Sequence, residues 1–153
     1  MRARFLPAML ALLLSGWLGG CDTAPQVTGA AIPPVPPGKA RLYFYRSPDI
    51  YDAPEWTTVS LNGAVLGASA PGTVFYRDVA PGRYRIEARS DKLYPDQVKT
   101  VVAAPGMTIF VKVESQPYWG QTGWLWQGNT FLVAIVAPAL GYEQISRLPL
   151  TPG

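Results

Sequence analysis

"TVFYRDVAPGRYRIEAR", residues 73 to 89, decides the fold class. Its second half alternates strictly: Tyr84, Ile86 and Ala88 fall on one side, Arg83, Arg85, Glu87 and Arg89 on the other. A period of two sends successive side chains to opposite faces of a strand, so this segment reads as a strand with one face in a core and one in water. The tripeptide Ala80-Pro81-Gly82 separates it from an earlier β-rich run. Pro81 and Gly82 suit the two central positions of a type II turn, the second of which needs positive φ.

Outward from this stretch the same texture recurs. Upstream, "WTTVSLNGAVLG" (56 to 67) is two β-rich runs joined at Asn62-Gly63, a strong short-range hairpin signal. In "ARLYFYR" (40 to 46), Leu42 and Phe44 alternate with Arg41, Tyr43 and Tyr45. Downstream, "DQVKTVVA" (96 to 103) leads through Pro105-Gly106 to "MTIFVKVE" (107 to 114). The apolar run "FLVAIVA" (131 to 137) reads as a buried strand, and "YEQISRL" (142 to 148) as a strand or a helical turn. "FLVAIVAPAL" is ten residues long and contains Pro138, against the roughly 20 that a membrane span requires. Seven or eight short strands with Gly and Pro turns at close intervals predict an antiparallel β-sandwich over residues 39 to 150.

Composition narrows the function. The 153-residue chain has 16 prolines, 15 glycines, no histidine and one cysteine. Without histidine it lacks the commonest general base and metal ligand, and one cysteine permits neither an internal disulfide nor a thiolate zinc cluster. Lys and Arg number 13 against 10 Asp and Glu, but Arg2 and Arg4 stand before the first apolar run. The remainder is nearly neutral and lacks the concentrated positive charge that nucleic-acid binding needs.

The N-terminus reads as an address. "MRAR" is a positive start, "FLPAMLALLLSGWL" an apolar core, and Gly19-Gly20 a pair of small residues before the lone Cys21. That is the layout of a secretory signal peptide over residues 1 to 20. Leu18-Gly19-Gly20-Cys21 resembles the bacterial lipobox. The resemblance implies a diacylglycerol on the Cys21 sulfur, cleavage before Cys21, and an acyl chain such as palmitate on its new amino group. Two or three chains, at about 0.8 kcal/mol per buried methylene, give stable membrane anchoring. The expected place is the cell envelope, facing the periplasm, with inner and outer membrane both open. Asp22 resembles the inner-membrane retention signal of enteric bacteria. "DTAPQVTGAAIPPVPPG" (22 to 38) has no hydrophobic period and two proline pairs. With Cys21 it forms a tether, residues 21 to 38, whose last 17 residues reach roughly 50 Å if extended.

Five segments together, "ARLYFYRSPD", "VSLNGAVLG", "FYRDVAPGRYRIEA", "PGMTIFVKVE" and "FLVAIV…GYEQISRL", resemble the bacterial domain-of-unknown-function family 2846 across most of residues 39 to 148. That resemblance implies a small envelope lipoprotein with a transthyretin-like or carboxypeptidase-regulatory-like sandwich, also similar to PEGA-type domains. It implies no catalytic residues. The chain departs from the pattern in a long loop between Glu114 and Phe131.

That loop holds the candidate contact residues Tyr118, Trp119, Trp124 and Trp126 among glycines and glutamines. Exposed, these rings suit stacking on sugars, resting at a lipid headgroup surface, or anchoring an envelope protein or peptidoglycan. Folded back, they cover one end of the sandwich, the commoner fate of large aromatics, with Trp119 as the exposed ring. Arg83, Arg85 and Arg89 form a basic stripe interrupted by Glu87, which reads as a solvated strand face. Asp49, Asp52 and Glu55 share one loop but supply too few oxygens for calcium and no second, facing carboxyl for glycosidic chemistry. The sequence therefore predicts no metal, no cofactor beyond the covalent lipid, and a non-catalytic binding or structural module. Carbohydrate or small-ligand binding by the same rings is the alternative.

Overall fold

The computed structural model describes residues 32–48, 55–90, 97–119 and 126–152. Eight strands and one short helix form an all-β sandwich: β1 (Ala40–Tyr45), β2 (Thr57–Leu61), β3 (Ala64–Ser69), β4 (Val74–Val79), β5 (Gly82–Ala88), β6 (Val98–Ala103), β7 (Thr108–Trp119), β8 (Trp126–Val136) and α1 (Pro138–Ile145). One sheet has the order β4-β1-β7-β8 and the other β3-β2-β5-β6. Every link from one strand to the next reverses the chain. The pairs are antiparallel except β1 with β7, where Arg41 lies beside Thr108 and Tyr45 beside Lys112. This departs from a purely antiparallel sandwich for a simple reason: the first and seventh of strictly alternating strands run the same way.

The sandwich therefore has two poles. At the lower pole lie the start of β1 (Ala40 beside Val79), the start of β5 (Gly82 beside Ala103), the turn before β7, and the end of β8 (Val136 beside Phe110). At the upper pole lie the connections β1–β2, β3–β4, β5–β6 and β7–β8. Lower-pole links are short. Asn62 and Gly63 both have positive φ (51° and 84°) and join Leu61 to its register partner Ala64, the two-residue hairpin expected from Asn-Gly. Gly106 has φ 74°, and the Met107 N–H donates to the Ala104 carbonyl at 3.0 Å, so Pro105-Gly106 is a type II turn.

Pro81-Gly82 is not. Gly82 lies outside the positive-φ residues and is already the first residue of β5, beside Ala103. The reason is that β4 and β5 belong to different sheets, so the chain steps across the sandwich instead of folding back on itself. The corner is tied by Tyr84, whose hydroxyl donates to the Ala80 carbonyl at 2.7 Å. A tyrosine bonding back to the backbone a few residues upstream is a known way to fix such a step between sheets.

Between the sheets, Leu42, Phe44, Val59, Ile86, Val111 and Val133 pack in one buried cluster. As the alternation predicts, Ile86 and Ala88 are buried and Tyr84 packs at the margin. β1 differs from the simple pattern because all six of its residues are buried. Its second face, Tyr43 and Tyr45, belongs to a separate cluster with Val74, Phe110, Ile145 and Leu148. The C-terminal segment covers this face, which resolves "YEQISRL" as helix and not strand. Pro138 opens α1, at the position where a missing N–H costs nothing. The helix then seats Gly141 on the Phe110 ring, so closely that a Cβ there would lie 2.2 Å from its Cγ. Tyr43 stacks on Phe110 (5.2 Å) and Tyr142 meets the same ring edge-on (4.7 Å). After the helix, the Val74 N–H donates to the Pro149 carbonyl and the Thr151 N–H to the Val74 carbonyl, which closes the open edge of β4.

Two predicted boundaries move. Most of the expected loop 115–130 is strand, because β7 and β8 stay paired from Phe110 beside Val136 out to Trp119 beside Trp126. The register slips between Pro117 and Trp119, where proline has no N–H to give the ladder. The tether also ends earlier than Gly38. Ile32 packs on the second cluster, the Pro33 carbonyl accepts from Arg41 Nη1 at 2.5 Å, and the Lys39 N–H donates to the Pro36 carbonyl.

Candidate functional site

The upper pole collects the longer connections, and Arg46 gathers them. Directly after β1, its side chain is fully buried. The guanidinium lies over the Phe131 ring at 5.0 Å, and Nη1 donates to the Glu55 carbonyl at 2.6 Å. Its backbone N–H donates to the Thr73 carbonyl. One side chain thus joins the β1–β2 connection to the base of the β7–β8 hairpin. The β5–β6 connection joins at the same place. The Phe131 N–H donates to Ser90 Oγ (2.7 Å), which donates back to the Phe131 carbonyl (2.8 Å), and Gln97 Nε2 donates there too (3.3 Å). These bonds use backbone groups on the open edge of β8 that would otherwise invite another strand.

From this base the β7–β8 hairpin projects. β1 ends at Tyr45, beside Lys112, while β7 continues seven residues to Trp119, a length of about 23 Å at 3.3 Å per residue. Val113 and Phe131 still belong to the core. Beyond them, Tyr118 and Trp119 end β7, Trp126 opens β8, and Trp119 and Trp126 are register partners. Trp124 lies outside the described residues, as do Cys21 and the lipobox residues Leu18, Gly19 and Gly20.

The other sequence candidates resolve as structure. Arg83, Arg85 and Arg89 are exposed on the outer face of β5 or just beyond it, and Arg85 pairs with Glu87 at 2.6 Å. Asp78, near this stripe in sequence, is instead bound by Arg41 through two bonds of 2.7 and 2.8 Å. Glu55 has its backbone carbonyl engaged by Arg46, whereas Asp49 and Asp52 lie outside the described residues. Among the described residues no three His, Cys, Asp or Glu side chains are grouped to hold a metal, and no helix is long and apolar enough to cross a membrane.

Arg41 and Arg46 are the buried charges that alternation does not reveal. Arg41 is 2% exposed, forks onto Asp78, and lies 4.1 Å over the Tyr76 ring. The bonded Asp78 carboxylate holds its guanidinium charged, above its ordinary range, against the opposing pull of burial. The available signal is the near-continuous apolar and aromatic run between the two arginines, which marks a strand covered on both faces.

The fold and this pole define a class: an all-β sandwich whose long connections meet at one end around a buried arginine, with a two-stranded arm extending past it. The family described as "Protein of unknown function (DUF2846)" matches residues 36–122, more than half of the chain, and the chain belongs to it. The match covers most of residues 39 to 148, as expected, and ends before the last of the five segments, "FLVAIV…GYEQISRL". No curated protein and no solved structure matches this chain.

Proposed function

We propose that this chain is a lipid-anchored module of the bacterial cell envelope that holds a protein or cell-wall partner and performs no chemistry of its own. The observation that carries the reading is the placement of two features at opposite poles. The N-terminal segment joins the sandwich at the lower pole, where Lys39 precedes β1. The β7–β8 arm leaves the upper pole and carries Tyr118, Trp119 and Trp126 on its strands. Cys21, lipidated within the lipobox Leu18-Gly19-Gly20-Cys21, anchors the first pole, and the arm presents the contact surface away from the membrane. Aromatic residues suit such a surface because they supply large contact area at low cost in conformational entropy.

Trp119→Ala and Trp124→Ala together test the contact. In cells, cross-linking of the lipidated chain to an envelope partner, or its sedimentation with purified peptidoglycan sacculi, drops several-fold while the thermal midpoint stays within a few degrees. Undiminished cross-linking and sedimentation, or collapse of the fold, refutes the contact. Binding of soluble glycan fragments without any protein cross-link identifies the carbohydrate alternative. Fractionation of Cys21→Ser tests the anchor: the variant leaves the membrane fraction if Cys21 carries the lipid and stays there if it does not.

A further inference from the structure

We infer that the lower pole rests directly on the surface of an anionic lipid bilayer, an inference that builds on the lipid anchor proposed above. Among the described residues, seven large hydrophobic side chains are exposed: Trp56, Val65, Val102, Met107, Ile135, Leu140 and Tyr142. Four of these lie at the lower pole, around the turn into β7 and the start of α1. Met107 (45% exposed) tops the type II turn before β7, and Val102 (61%) sits beside Arg83 near the end of β6. Leu140 (47%) occupies the first turn of α1, directly after β8 reaches this pole, and Tyr142 (52%) brings its hydroxyl to Thr108 Oγ1 at 3.5 Å.

A lipid surface is the occupant this patch fits. The apolar side chains sit among short turns, and Met, Leu and Tyr at the tips of turns and a helix start suit the headgroup boundary. Lys39 and Arg83 are exposed at the same pole, and neither forms an ion pair among the described residues. The acidic groups nearby are Asp78, already bound by Arg41, and Glu143 farther along α1. Basic side chains beside exposed apolar ones match the negative potential of anionic lipids.

The chain itself supplies the second argument. Ile32 and Pro33 are held on the domain, so only ten residues, 22 to 31, separate Cys21 from its first fixed point. Ten residues reach at most about 35 Å when fully extended. Contact between pole and bilayer is thus intramolecular, at a high effective concentration, and a modest surface is enough to hold it. Resting on this pole aims the β7–β8 arm outward.

A site-specific probe tests this on the full, lipidated chain. With the Cys21 sulfur occupied by lipid, an introduced thiol takes an environment-sensitive fluorophore alone. Met107→Cys and Leu140→Cys report the lower pole, and Trp56→Cys, 64% exposed just before β2 at the upper pole, is the reference. The labelled proteins are reconstituted in vesicles of phosphatidylethanolamine and phosphatidylglycerol containing nitroxide lipid. Quenching at residues 107 and 140 is expected to exceed that at 56 several-fold, and to fall when Lys39→Glu and Arg83→Glu are combined. Equal quenching at all three positions overturns the inference and leaves the pole free for a protein partner. The mass of the N-terminal peptide from the same preparation separates the failures. If Cys21 carries no lipid, the anchor is wrong and the resting contact falls with it. If Cys21 is lipidated and the probes remain in water, only the contact is wrong.

Discussion

The outer faces of the two sheets began from similar sequence patterns and ended in opposite environments. On β5, Arg83 and Arg85 alternate with Tyr84 and Ile86, and the arginines stay in water. On β1, Arg41, Tyr43 and Tyr45 alternate with Leu42 and Phe44, yet every one is buried. The difference is the cover. α1 and the segment after it lie on the first sheet, while nothing among the described residues lies on the charged face of the second. Alternation tells which residues share a face; only a distant segment of chain determines whether that face meets water.

The largest expected effect comes from lifting the cover. In an exposed helix interior, Gly→Ala gains up to about 1 kcal/mol of helix propensity. At Gly141 the new Cβ would lie 2.2 to 2.6 Å from three atoms of the buried Phe110 ring. Overlap in a packed interior costs about 1–3 kcal/mol, so the clash outweighs the propensity. Gly141→Ala is expected to lower stability in denaturant titration, and a stabilised variant would show that α1 does not seat here.

A second test sharpens the contrast through pH. Burial beneath α1 pushes the Tyr45 hydroxyl up to about 12, with the Glu114 charge adding to the effect. The folded protein therefore keeps a proton that the unfolded chain releases near pH 10. The resulting stability is fully present below pH 10 and is lost as pH rises toward 12. Tyr45→Phe should cost about 1 kcal/mol at neutral pH, because Gln144 loses its partner. The same variant should flatten the decline in melting temperature between pH 10 and 12. An unchanged alkaline slope would place that proton elsewhere.

The smallest effect belongs to the open face. Arg85 is half exposed and its pair with Glu87 is a surface ion pair. Arg85→Ala should change stability by no more than about 0.5 kcal/mol. A larger loss would mean that this face is covered as well.

The residues alone carry the fold only part of the way. Ile86 and Ala88 are legible because alternation and burial coincide on a strand with one wet face. Asn62-Gly63 is legible because a two-residue hairpin demands positive φ at both positions. Three Ala-Pro-Gly tripeptides show the limit. Gly72 and Gly106 take positive φ, while Gly82 lies in a strand. The destination of the chain beyond each tripeptide differs, and the tripeptide does not record it. In the candidate site, aromatic and β-prone residues between Ser115 and Thr130 read as loop because Gly, Gln and Pro117 interrupt them, though the backbone ladder continues. Arg46 is invisible as a gathering point because Glu55, Ser90, Gln97 and Phe131 converge only in three dimensions.

The parallel pairing of β1 with β7 has a consequence for the order of folding. Arg41 meets Thr108 only after 67 further residues of chain are available. Hairpins such as β2–β3 and β7–β8 close locally, but the first strand must wait for the seventh, and such non-local pairing slows folding. Until then β1 has a partner only in β4, and its other edge stays open in an apolar segment of the kind that seeds aggregation. A chain that stops before residue 108 is thus left with one edge of its central strand open.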